Sequence, residues 1–168
     1  MNLSLYLVTD TLMCGQFGVA ATVSTAVRAG VTMVQLRDAR ASDDDLVSLG
    51  RKILTVLEGT DVPLIVNDRV HLVEAMGAHG GHVGQSDLGI GAARTLLGPA
   101  AYLGLSVQTT EHVAAAREHG KEMLDYLGVG PVWGTATKLD AAAPGASNDC
   151  NRSRRRAPGP AWPSAASP

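Results

Sequence analysis

Residues 31–68 read VTMVQLRDARASDDDLVSLGRKILTVLEGTDVPLIVND, and this stretch decides the fold class. Its two ends, VTMVQLRD (31–38) and VPLIVND (62–68), are short apolar runs that turn polar at their C-terminal ends. Continuous runs of this length suit strands buried on both faces, as in a parallel sheet. Between them Ser42 is placed as an N-cap, and Asp43, Asp44 and Asp45 fall where the positive end of a helix dipole favours carboxylates. Leu46, Leu49, Ile53, Val56 and Leu57 then return at helical spacing as one apolar face. The unit is strand, helix, strand.

The same alternation extends in both directions. LSLYLVTD (3–10) precedes it, and GGHVGQSD (80–87), AYLGLSVQ (101–108) and LDYLGVGPVW (124–133) follow. Helical stretches are predicted over 17–29 (ending at Gly30), 70–78, about 91–97 and 110–119 (ending at Gly120). About six βα units at intervals of roughly 20–30 residues give either a parallel barrel or an open doubly wound sheet. An open sheet concentrates its ligand groups at one switch point, often with a Gly-rich loop after the first strand. Here the first strand runs into TDTLMCG, without G-x-G-x-x-G. Polar residues instead close nearly every strand: Asp10, Gln35 with Arg37, Asn67 with Asp68, Gln85 with Asp87, Ser106 with Gln108, and Thr135 with Lys138. Groups spread over many strand ends favour a barrel.

Composition changes near residue 141. Residues 141–168 hold 8 Ala, 5 Pro, 4 Arg and 4 Ser but no Val, Ile or Leu, so this segment is expected to be disordered. It carries +3, which leaves −5 on residues 1–140 against a whole-chain net charge of −2. The expected organisation is a partial barrel over 1–140 and an Ala/Pro/Arg/Ser-rich tail over 141–168 that reads as out-of-frame translation of a GC-rich gene. Within the tail, Arg152 to Arg156 is taken as incidental basic character rather than a nucleic-acid patch. A net charge of −2 excludes a globally basic nucleic-acid binder. No apolar run approaches the roughly 18–20 residues that span a bilayer. Cys14 and Cys150 match no metal or redox spacing, so a reduced, cytoplasmic chain is expected.

The strand-end residues suggest chemistry on phosphate. Gln35 and Arg37, two apart on a strand, point the same way, and an arginine offers paired donors to a phosphate; a structural pairing with a nearby carboxylate is the alternative. Asp68 and Asp87 close successive strands, about 5 Å apart in a sheet, and suit one Mg²⁺ whose other ligands are water and phosphate oxygens. Helix capping is their alternative role. Of the five histidines, His71, His112 and His119 are assigned to solvated helix faces, and His79 and His82 lack the partners a zinc site needs. No nucleophile elbow or Walker loop is present. Mg²⁺ ligands with basic residues and no nucleophile point to a pyrophosphate leaving group.

LYLVTD (5–10), VQLRD (34–38), LIVNDR (64–69), HVGQSD (82–87), GLSV (104–107) and YLGVGPVWGTATK (126–138) resemble thiamine-phosphate synthases in order and spacing. The resemblance implies a TIM (β/α)8-type barrel, present here as about six units with the last two missing. It implies a Mg²⁺-dependent joining of a pyrimidine pyrophosphate to a thiazole phosphate with release of pyrophosphate. It assigns Gln35, Leu36, Arg37, Asp38, Ala39, Asn67, Ser106 and Lys138 to the pyrimidine pyrophosphate, and Thr135, Ala136 and Thr137 to the thiazole phosphate. Arg37 and Lys138 would be catalytic, and Asp68 and Asp87 would bind the metal. Ala39 stands where the family has lysine, with Arg40 beside it. The family pattern continues past Asp140 with further strands and helices, so low turnover and self-association through open barrel edges are expected. The alternatives are a thiazole tautomerase of the same fold, which would need no pyrophosphate-bound metal, or a non-catalytic remnant.

Overall fold

The computed structural model describes residues 1–120 and 122–131. Six strands, β1 (Tyr6–Val8), β2 (Met33–Leu36), β3 (Leu64–Asn67), β4 (Gly80–Val83), β5 (Tyr102–Val107) and β6 (Tyr126–Val129), form one sheet in sequence order. Every neighbouring pair is parallel. The strands are shorter than the apolar runs that predict them, because each run begins or ends in the connecting turn.

The links are helical: α1 (Thr11–Cys14), α2 (Gly18–Arg28), α3 (Asp43–Leu57), α4 (Val73–Met76), α5 (Ile90–Leu97) and α6 (Thr110–Glu118). Ser42 caps α3 as its position suggests, its side chain accepting the Asp45 N–H at 3.2 Å. The helix expected over 70–78 is instead a 3₁₀ turn (Val70–Leu72) followed by the single turn of α4, which ends where Gly77 takes a left-handed conformation. The short α1 lacks an amphipathic signal and is set by Asp10, whose carboxylate accepts the N–H groups of Leu12 and Met13.

Strand alternation divides the side chains between two faces. Val34, Leu36, Leu64 and Val66 pack with Val19, Val23, Leu46, Ile53, Leu57 and Met76 of the helices. Val83, Leu103, Leu105 and Val107 do the same with Ala93 and Ala116. This layer is the main apolar core, and each fully buried Leu or Ile in it contributes about 1.5–3 kcal/mol. The other parity, which includes Tyr6, Gln35, Asn67, His82, Ser106 and Tyr126, lies on the opposite face. A flat sheet would separate β1 from β6 by roughly 24 Å, five strand spacings. Yet the Tyr6 and Tyr126 hydroxyls are 2.7 Å apart. The sheet is therefore curled into a half-barrel, helices outside and polar side chains within.

Candidate active site at the strand ends

The C-terminal end of β2 carries Gln35 and Arg37. Gln35 is buried on the concave face, and its Nε2 donates to the Tyr6 hydroxyl at 2.7 Å. Arg37 leaves the strand with its N–H donating to the buried Thr9 Oγ1, while its guanidinium Nη1 lies 3.5 Å from Asp10 Oδ2. The carboxylate partner thus comes from the end of β1, and the largely buried pair sits at the C-terminal end of the strands. Leu36 has the opposite parity and is fully buried under the helices, so only its backbone faces the site.

Asp38, Ala39 and Arg40 form the β2–α3 loop. The Asp38 carboxylate accepts the N–H groups of Arg40 at 2.9 Å and Ala41 at 3.1 Å. Burial works against its charge, but hydrogen bonds from Thr11 and from these two amides, with Arg69 nearby, hold its pKa below the usual range. Arg69, a residue to which sequence reasoning gave no role, anchors the same loop. Its guanidinium donates to the carbonyls of Ala41 at 2.7 Å and Asp38 at 3.1 Å and pairs with Asp43 at 3.1 Å. The signal available for it was its place directly after Asn67 and Asp68.

Asn67 ends β3 on the concave parity, in register with His82 of β4. Asp68 follows with φ 58°, a left-handed conformation that aspartate tolerates better than most residues, and it is exposed. Its N–H donates to the His82 carbonyl at 2.8 Å. Asp87 lies in the loop after β4, where its Oδ2 accepts the Gly84 N–H at 2.7 Å; it closes a loop turn rather than capping a helix. Gln85 of the same loop donates to the Ser106 carbonyl at 2.6 Å, tying the ends of β4 and β5 together.

The concave face also holds a side-chain network that sequence reasoning missed. The Tyr6 hydroxyl meets that of Tyr126 at 2.7 Å, which meets His82 Nδ1 at 3.1 Å; His82 Nε2 meets Ser106 Oγ at 2.8 Å. The rings of Tyr6 and Tyr126 stand edge to face, 5.7 Å between centroids. Burial pushes both phenols above their ordinary pKa, Tyr126 far more than Tyr6, so both stay protonated. Residues separated by up to 120 positions leave no local pattern, and only the shared inward parity of Tyr6, His82 and Tyr126 hinted at it.

The other histidines lie outside this network. His71 lies on the 3₁₀ turn and pairs with Asp43 at 3.0 Å. His79 Nδ1 accepts the Leu64 N–H at 3.0 Å. His112 is half-buried rather than solvated and faces the Gln108 N–H at 3.4 Å. His119 ends α6 in solvent, as expected. Thr135, Ala136, Thr137, Lys138 and the tail over 141–168 lie outside the described residues.

Gln35, Arg37, Asn67, Asp68, Asp87 and Ser106 therefore surround one end of a curled parallel sheet. Residues 5–161 match the family described as thiamine monophosphate synthase. The chain belongs to the thiamine monophosphate synthase family. Among its relatives is a thiamine-phosphate synthase of Psychrobacter sp. (strain PRwf-1), 44% identical over 142 residues, 84% of this chain and 66% of that protein. Another, from Azorhizobium caulinodans, is 46% identical over 140 residues, 83% of this chain and 65% of its own length. The chain thus spans just under two thirds of these relatives. A solved thiamine phosphate pyrophosphorylase from Pyrococcus furiosus superimposes with a TM-score of 0.70 at 29% identity, covering 80% of this chain and 63% of that one. The curled α/β sheet is the fold of this family, and no helix among the described residues is long and apolar enough to cross a membrane.

Proposed function

We propose that this chain acts in thiamine biosynthesis as a thiamine-phosphate synthase. It condenses 4-amino-2-methyl-5-hydroxymethylpyrimidine pyrophosphate with 4-methyl-5-(2-phosphooxyethyl)thiazole, giving thiamine phosphate and pyrophosphate. The observation that carries this reading is the grouping of Gln35, Arg37, Asn67 and Ser106 at the ends of β2, β3 and β5, with two carboxylates on the neighbouring loops. Arg37 presents paired N–H donors to pyrophosphate oxygens, while Gln35, Asn67 and Ser106 orient the pyrimidine half. The curled sheet is read as part of a TIM-type barrel, whose ligand sites lie at this end of the strands.

The donor set fits Mg²⁺. Asp68 and Asp87 follow adjacent strands, both are exposed, and both offer hard oxygen ligands. Among the described residues no three His, Cys, Asp or Glu side chains meet at one point. A cation held by these two carboxylates would take its other oxygens from phosphate and water. Bound there, Mg²⁺ would neutralise charge on the departing pyrophosphate. The chain's own contribution is electrostatic and positional: Arg37 draws on the leaving group, and Lys138, with Thr135, Ala136 and Thr137 for the thiazole phosphate, completes the set. Self-association along the outer edges of β1 and β6 belongs to the same reading.

The test is incubation of the chain with both substrates and Mg²⁺, following thiamine phosphate and pyrophosphate by chromatography. Equal amounts of both products, dependent on both substrates, are expected. Consumption of the thiazole phosphate alone, with a rearranged thiazole as product, would assign a tautomerase instead.

A further inference from the structure

Gln35, Tyr6, Tyr126, His82 and Ser106 form one hydrogen-bonded line across the concave face, and the line has a direction. The Gln35 Nε2 group has hydrogens only to give, and it gives one to the Tyr6 oxygen at 2.7 Å. Tyr6 then has a single hydrogen of its own to give, and the line that uses it runs to the Tyr126 oxygen 2.7 Å away, a contact in which either hydroxyl can be the donor. Tyr126 in turn faces Nδ1 of His82 at 3.1 Å. A neutral imidazole that accepts at Nδ1 carries its hydrogen on Nε2, and Nε2 lies 2.8 Å from Ser106 Oγ. Ser106 accepts at that point, and its own hydrogen leaves the line at the strand ends.

In the reverse direction the Tyr6 oxygen would accept from both Gln35 and Tyr126, and the Tyr6 hydrogen would have no place in the line. Burial keeps both phenols protonated, so each has one hydrogen to give. Packing holds the line in place, since a β-carbon at Gly104 would run into both the Tyr126 ring and the His82 imidazole, and one at Gly128 would press on His82.

We propose that Tyr126, backed by Tyr6, is a positioning residue that locks His82 as the Nε2–H tautomer and so turns the Ser106 hydroxyl into a hydrogen-bond donor toward the strand-end ligand. The site then selects a ligand with an acceptor atom opposite Ser106 and disfavours one that presents an N–H there, because two donors would meet. The identity of that ligand rests on the function proposed above; the tautomer does not.

The test is two-bond ¹H–¹⁵N correlation spectroscopy of the full chain labelled at histidine, at neutral pH and without ligand, with the His82 signals assigned from their loss in His82→Gln. A single Nε2–H pattern is expected for His82. Tyr126→Phe is expected to convert it to a mixture of tautomers, Tyr6→Phe to do so more weakly, and Ser106→Ala to leave it unchanged. An Nδ1–H pattern in the native chain overturns the proposal, as does an unchanged Nε2–H pattern in Tyr126→Phe. If Tyr126→Phe does not fold, the Tyr6→Phe spectrum decides between the same two results. Because no substrate is present, failure of the proposed synthase activity would leave this readout intact.

Discussion

The Tyr6 hydroxyl on β1 lies 2.7 Å from the Tyr126 hydroxyl on β6, although 120 residues and four intervening strands separate them. This one contact measures the curl of the sheet. It also closes a polar line that begins at Gln35 and ends at Ser106, joining the interior of the half-barrel to the strand-end site.

Gly104 makes room for that line. A β-carbon there would overlap the Tyr126 ring and the His82 imidazole, so Gly104→Ala is expected to destabilise the fold by about 1–3 kcal/mol. Gly91→Ala, inside α5 where a β-carbon meets only Met123 Cε at 4.0 Å, is expected to hold or raise stability by up to about 1 kcal/mol. Urea unfolding midpoints of the two variants compare them directly.

Arg37 is expected to act on ligand affinity. Charged hydrogen bonds contribute roughly 1.5–3 kcal/mol, so Arg37→Ala should weaken pyrimidine pyrophosphate binding about 10- to 100-fold, read by calorimetric titration. Arg37→Lys should recover only part of the loss, because lysine cannot present paired donors.

Asp68 and Asp87 are expected to act through metal binding. Asp68→Asn, which keeps a residue that tolerates the φ of 58°, and Asp87→Asn should each raise the Mg²⁺ concentration needed for ligand binding severalfold. Chelation of Mg²⁺ should abolish binding in the native chain. Ligand titrations over a Mg²⁺ series check both expectations.

Asp38 gives the β2–α3 loop an acid sensitivity. Its folded pKa lies below the ordinary value of 3.8, so its stabilising effect is fully present above that pH and fades as pH falls through the lower folded value. Melting temperatures of the native chain and of Asp38→Asn should therefore differ at pH 7 and converge toward pH 3. A constant difference across that range would remove Asp38 as the source.

The outer layer of the fold was legible because it is local. Apolar runs, the Ser42 cap and the glycines at 30 and 120 each act within a few residues. The strand-end positions of Gln35, Arg37, Asn67, Asp68, Asp87 and Ser106 were legible as well, since each lies at or just past the end of an apolar run. What stayed hidden depends on closure. Tyr126 and His82 look like ordinary strand residues until curvature brings β6 within reach of β1. Arg69 looks like a surface cation until the β2–α3 loop folds onto it. The 3₁₀ turn at Val70–Leu72 escaped because its apolar residues also fit a helical period.

The strand-end site is tested most directly by calorimetric titration of the chain with the pyrimidine pyrophosphate, with and without Mg²⁺. Saturable binding of one ligand per chain that requires Mg²⁺ and is weakened by Arg37→Ala is expected. No binding in the presence of Mg²⁺, or binding indifferent to both the metal and Arg37, would contradict the assignment.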